Sequence, residues 1–237
     1  MLYAGLQSLS EYSIPFIFRP MDPTAFIFKI LILIFSVVIH EVSHGLAAYA
    51  LGDNTAKWMG RLTLNPIKHL DLWGSLIIPA ISFVVAGFMF GWAKPVPYNP
   101  HNLRNQKYGP ALVGIAGPLS NIFLAVVFGI VLRFLPAWVG AAQNDAVMQI
   151  VQNFGEIFLF IVQINLLLAV FNLVPIPPLD GSKLLFALLP YRYKHVEAFL
   201  EQQGMLLLIL FIFFGFHIIF PIINLLFRII VGQSFFF

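Results

Sequence analysis

Residues 26–51 read FIFKILILIFSVVIHEVSHGLAAYAL. A bilayer's hydrocarbon core takes about 20 mostly apolar residues of helix to cross, so this stretch is long enough to span it. Its second half nevertheless carries His40, Glu41 and His44. Ionisable groups at membrane depth cost about 2.5–3.5 kcal/mol each on insertion scales, so three in five positions need compensation, and a bound cation supplies it. On a helix, positions i and i+4 share a face, so both imidazoles can bind one ion. Glu41 then stands beside them, placed to take a proton from a water activated by the metal. The competing reading is a polar helix face packed against other polar helices with no metal.

The rest of the chain fits a membrane setting. Of its 237 residues, 60% are hydrophobic and 10% charged, against about 25% charged in soluble proteins. Mean hydropathy is +0.91. Such a composition excludes a secreted enzyme, a disordered chain and a nucleic-acid binder, so the expected surroundings are a lipid bilayer and no nucleic acid. The net charge of +3 needs only cations gathered on one membrane face. The absence of cysteine removes disulfides, thiolate metal sites and a thiol nucleophile. Residues 1–19 hold Glu11 and no lysine, so they do not read as a signal peptide.

Further apolar stretches are Ser75–Phe90, Pro110–Leu135, Gly155–Val174 and Met205–Val231. Ser75–Phe90 is short and broken by Pro79 and Gly87, which suggests a re-entrant hairpin. Met205–Val231 contains Pro221 and reads as a kinked span or a hairpin. Arg61–Leu64 alternates like a strand, and GWAKPVPYNP (91–100) is held extended by its prolines. These two segments predict a small sheet near the membrane surface. The expected fold is an all-α polytopic membrane protein: about four to five transmembrane helices, a re-entrant element and a small membrane-associated β-sheet. It forms one domain over 1–237, with a core over 26–190 and a C-terminal span over 205–231.

A catalytic zinc has three protein ligands and an open position. The candidates for the third are Glu156, Asp180 and His217. Asp180 stands out because it closes NLVPIPPLDG (172–181), where prolines must unwind the preceding helix and Gly181 permits tight backbone geometry. An Asp ahead of a helix is also a common cap or turn residue. For Asp180 to meet His40 and His44, segments 26–51 and 155–174 must run the same way, with 110–135 returning between them. If Ser75–Phe90 re-enters, nine cations (Lys57, Arg61, Lys68, Lys94, Arg104, Lys107, Lys183, Arg192, Lys194) share the catalytic side against four (Arg19, Lys29, Arg133, Arg228). If it crosses, the split is eight against five. The first arrangement obeys the positive-inside rule better and puts the catalytic end in the cytoplasm.

HEVSHG (40–45), AGPLSN (116–121) and FNLVPIPPLDG (171–181) together resemble the site-2 protease family of intramembrane zinc metalloproteases. LGDNTAKWMGRLTLNPIKHLD (51–71) and FGWAKPVPYNP (90–100) look like its compact prokaryotic members without a PDZ domain. The resemblance covers residues 36–190. It implies His40, His44 and Asp180 as ligands of one zinc ion, Glu41 as the catalytic base, and Asn172 close enough to position substrate or stabilise an oxyanion. It also implies transmembrane proteins as substrates. Nothing of PDZ size and composition fits between the segments, and the family's helix ahead of the HExxH helix is missing or reduced to residues 1–25. Asn121 admits two readings, an approach to the active site or a bond between closely packed helices. His69, His101, His195 and His217 read as interfacial or structural, with His69 and Asp71 as a solvated polar pair. A rhomboid-type serine enzyme would need Gly-x-Ser-Gly, and a presenilin-type enzyme Gly-x-Gly-Asp; neither occurs. A metal transporter would distribute its ligands along repeated halves, and a pseudoprotease would not need Glu41.

Overall fold

The first helix among the described residues is α1 (Pro23–Ala50). The computed structural model describes residues 23–71, 73–78, 81, 94–141 and 145–232. After α1 come the short α2 (Thr55–Trp58) and then α3 (Gly109–Ala141), α4 (Asp145–Asn172), α5 (Asp180–Leu188), α6 (Lys194–Leu210) and α7 (Ile219–Val231). Among the described residues, four helical stretches are long and apolar enough to cross a membrane: Phe26–Ala50, Gly109–Leu135, Met148–Asn172 and Tyr191–Val231. The last is continuous, joining α6 to α7 through the π-turn Phe211–Gly215 and the 3-10 turn Phe216–Ile218. Pro221 sits in the first turn of α7, which a proline tolerates, and the chain there is one continuous helical stretch, not a hairpin.

Side-chain bonds fix the helix directions. Ser36 of α1 lies level with Asn165 of α4 and Asn121 of α3, and His44, further along α1, meets Val113, earlier in α3. Helix α3 therefore runs against α1. Asp180, just past α4, meets both histidines, so α4 runs with α1. Helix α3 is the central element, packed against α1, α4, α5 and α7. Ala125, Val162, Leu166, Val170, Ile219, Ile223, Phe227 and Val231 form the buried core of α3, α4 and α7. In lipid such contacts stabilise by close packing, because the surrounding tails are as apolar as the side chains.

No β-strand occurs among the described residues, so the expected small sheet finds no support there. The segments expected to pair do touch, by other means. Arg61 is buried and its guanidinium donates to the carbonyls of Lys94 and Pro95, while a single backbone bond joins Lys94 N–H to His69 O. Pro95 and Pro97 have no N–H, so a ladder cannot extend. The polar pair expected in solvent also differs: His69 is 1% exposed, and its Nε2 donates to Thr63 O. Asp71 and Lys94 thus lie at one end of the bundle. The re-entrant path expected for Ser75–Phe90 falls largely outside the described residues.

Asp53 ties this end together. Its buried carboxylate accepts from Thr55 N–H, Thr55 Oγ1, Asn99 N–H and Asn102 Nδ2 at 2.6–3.2 Å. Burial pushes its pKa up, but the donors from Thr55, Asn102 and Asn99 outweigh it and hold the carboxyl below its ordinary value. A depressed pKa means stability that is present above the unfolded value of about 3.9 and lost as pH falls through the folded value. Thermal stability in detergent is thus expected to hold down to about pH 4 and fall below it. Asp53→Asn should lower the neutral-pH melting point and flatten that acid limb.

Candidate metal centre

Residues 36–44 of α1 bring Ser36, His40 and His44 to one face, at helical spacing. His40 and His44 are each 6% exposed, and Asp180 is 8% exposed. The two Nε2 atoms are 3.0 Å apart, and each is 3.1 Å from Asp180 Oδ2. His40 Nδ1 lies 2.5 Å from Asn121 Oδ1, and His44 Nδ1 lies 2.7 Å from the Val113 carbonyl. Both partners accept, so both Nδ1 atoms carry hydrogen and each neutral imidazole turns a lone pair outward from Nε2. Two nitrogen lone pairs and a carboxylate oxygen then converge on one point. Such a set repels itself unless a cation joins it, and two imidazoles with one carboxylate match the ligands of catalytic zinc. His40, His44 and Asp180 also form the group among the described residues whose donor atoms could hold one ion.

Asp180 reaches this point because the chain leaves α4 at Asn172 and turns through prolines before α5 begins at Asp180. Leu179 occupies the cap position, and the Asp180 carboxylate faces the histidines. Gly181 packs its Cα onto the Val174 carbonyl, where an added Cβ would lie 2.6 Å from that oxygen. Lys183, one turn on, donates from Nζ to Asp180 Oδ1 at 2.9 Å. One oxygen therefore faces the histidines and the other faces an ammonium. Burial pushes the Asp180 pKa up, and the Lys183 ammonium beside Oδ1 counters it, holding the carboxyl below the usual carboxylate range. Lys183→Met should weaken zinc binding about tenfold in chelator competition, while Lys183→Arg retains most of it.

The centre opens into a cleft of about 370 Å³ lined by Glu41, Val96, Tyr98, Asn172, Asp180 and Lys183, among others. Glu41 Oε2 accepts from Val96 N–H at 2.8 Å. That N–H lies between two prolines that have none. Asn172 lines the same cleft, and its Nδ2 donates to Leu168 O. Of the other ligand candidates, Glu156 lies on α4 and His217 in the exposed turn before α7; neither belongs to the His–His–Asp group. Asn121 bonds His40 and Asn165 together, so its interhelical bond is also its approach to the centre.

Gly117 went unread in the sequence. A Cβ there would lie 2.6 Å from His40 Nε2 and closer still to His44 Nε2. Helix α3 thus lays bare backbone against the converging atoms, and its only sequence sign is a glycine within AGPLSN.

Two histidines and an aspartate thus face one point where they could hold a metal ion, with a glutamate beside them on a membrane-length helix. The family model described as Peptidase family M50 matches residues 28–215. YwhC of Bacillus subtilis, which bears a zinc-metalloprotease name, is 38% identical over 88% of this chain and 90% of its own length. Rip2 of Mycolicibacterium smegmatis, similarly named, is 30% identical over 81% of this chain and 69% of its own. A third such relative, MJ0611 of Methanocaldococcus jannaschii, is 29% identical over 75% of this chain and 80% of its own. No solved structure gives a match. The chain belongs to peptidase family M50, the site-2 protease family. It is a multi-pass membrane zinc metalloprotease, and zinc is its metal.

Proposed function

We propose that the protein hydrolyses peptide bonds within or near the transmembrane segments of other membrane proteins, with His40, His44 and Asp180 as zinc ligands, Glu41 as general base and Asn172 as an oxyanion partner. The observation that carries this reading is the convergence of two α1 imidazoles and the Asp180 carboxylate beside a cleft, on a helix long and apolar enough to span a membrane. A zinc ion in such a site supplies Lewis acidity that makes water a nucleophile near neutral pH.

This chain's own residues do the rest. Glu41 accepts the proton of the attacking water and passes it to the leaving amine nitrogen. Its Oε2 accepts from Val96 N–H, and Oε1 is the oxygen that suits the incoming proton. The Asn172 amide has a second N–H beyond the one given to Leu168 O, and that donor suits a developing oxyanion. A helical substrate hides its peptide bonds, so it must unwind before it enters. The cleft faces the end of the bundle that bears Lys57, Arg61, Lys68, Lys94, Arg104, Lys107, Lys183, Arg192 and Lys194. The positive-inside rule makes that end cytoplasmic. The ligands cluster at one point rather than along a path, which favours an enzyme over a transporter.

The test is a panel of single-span substrates cleaved by the purified protein in liposomes. Cleavage should stop on chelation and return with zinc. Full cleavage in the presence of a strong chelator would overturn the proposal.

A further inference from the structure

Three polar side chains lie buried around His40 without belonging to the ligand set: Ser36, Asn121 and Asn165, at 4%, 0% and 0% exposure. Each would be costly in an apolar bundle unless its hydrogen bonds were made. They form a chain across three helices. Asn165 Nδ2 of α4 donates to Ile161 O at 2.8 Å and to Ser36 Oγ at 2.9 Å. Asn165 Oδ1 accepts from Asn121 Nδ2 of α3 at 2.7 Å. Asn121 Oδ1 lies 2.5 Å from His40 Nδ1.

The direction of this chain is fixed at its far end. The Ile161 carbonyl can only accept, so the Asn165 amide must turn its nitrogen toward it and its oxygen toward Asn121. That oxygen cannot donate, so Asn121 must present its nitrogen there and its oxygen to His40. An amide oxygen cannot donate to His40 either. His40 therefore carries its hydrogen on Nδ1 and leaves Nε2 as a lone pair. Reversing either amide would set two donors or two acceptors face to face.

We infer that Asn165 is a positioning residue for the metal centre, acting through Asn121 to hold His40 in the ring orientation and tautomer that bind the metal. It touches no ligand itself. The inference rests on the proposed zinc role of His40. Partners in such an outer shell are typically worth 10–100-fold in metal affinity.

The test is zinc affinity by chelator competition for the full-length protein in detergent, with the thermal midpoint of each metal-stripped variant as the measure of folding. Asn165→Leu keeps the number and branching of the side-chain heavy atoms while removing every polar one. Asn165→Ser is a small residue that membrane helices pack readily, and it guards against a Leu variant that does not fold. Both should bind zinc about tenfold more weakly, Asn121→Leu at least as weakly, and the Asn121→Leu/Asn165→Leu double variant no more weakly than Asn121→Leu alone. The ¹⁵N shifts of His40 in the metal-stripped protein should show Nδ1–H in the wild type and lose that preference in Asn165→Ser. Unchanged zinc affinity in a folded Asn165→Ser, or losses that multiply in the double variant, would overturn the inference. His40→Ala with undiminished zinc affinity would instead sink the ligand reading beneath it.

Discussion

Glu41→Gln is expected to abolish peptide cleavage while one zinc per chain stays bound. The carboxylate belongs to no ligand pair; its neighbour is Val96 N–H at 2.8 Å. A glutamine carbonyl oxygen can accept the same bond in the same volume, so the cleft and the His–His–Asp triangle keep their shape. What disappears is a group able to take a proton from water and return it to the leaving nitrogen. Removing a general base typically costs 10²–10⁴ in rate. Single-turnover cleavage measured beside zinc content checks both halves. Retained cleavage with zinc bound would remove Glu41 from the proton transfer, and loss of zinc would move it into the coordination shell.

Gly117→Ala is expected to empty the centre without unfolding the bundle. The added methyl would sit 2.6 Å from His40 Nε2, where an ordinary contact needs about 3.5 Å or more. Helix α3 cannot easily retreat, because it packs against α1, α4, α5 and α7 at once. The imidazoles must give way, and they are the proposed zinc ligands. Alanine also favours helix over glycine by about 1 kcal/mol, so loss of α3 cannot explain an effect on zinc. Metal analysis should fall from one zinc per chain to a small fraction, with the far-ultraviolet circular dichroism unchanged. Wild-type zinc content in Gly117→Ala would show that α3 does not approach the histidines this closely.

The contrast between His40 and Gly117 shows what the sequence could disclose. His40 and His44 are four residues apart on one helix, so their shared face follows from the helical repeat alone. Asp180 took more: a proline-rich exit from α4 showed where the chain must unwind, and the family resemblance chose it over Glu156 and His217. The expected sheet finds no support among the described residues: strand-like alternation at Arg61–Leu64 says nothing of Arg61's own length, and its buried guanidinium holds the Lys94 and Pro95 carbonyls. His69 read as solvated because a lone histidine beside Asp71 carries no sign of the loop that covers it. Gly117, the Val113 carbonyl and Asn165 were illegible for one reason. Each acts through the distance between helices far apart in sequence, and neither composition nor periodicity encodes that distance. Asn121 falls between, because AGPLSN marked it as polar among small residues while only the structure showed that bonding across helices and holding His40 are the same contact.

X-ray absorption at the zinc edge, on the purified protein and on Asp180→Ala, shows whether His40, His44 and Asp180 hold the zinc. The wild type is expected to show a four-coordinate ion with two imidazole nitrogens at about 2.0–2.1 Å and the remaining positions filled by oxygen, and Asp180→Ala to lose most of its zinc. A wild-type spectrum without imidazole scattering, or an unchanged spectrum in Asp180→Ala, would contradict that ligand set.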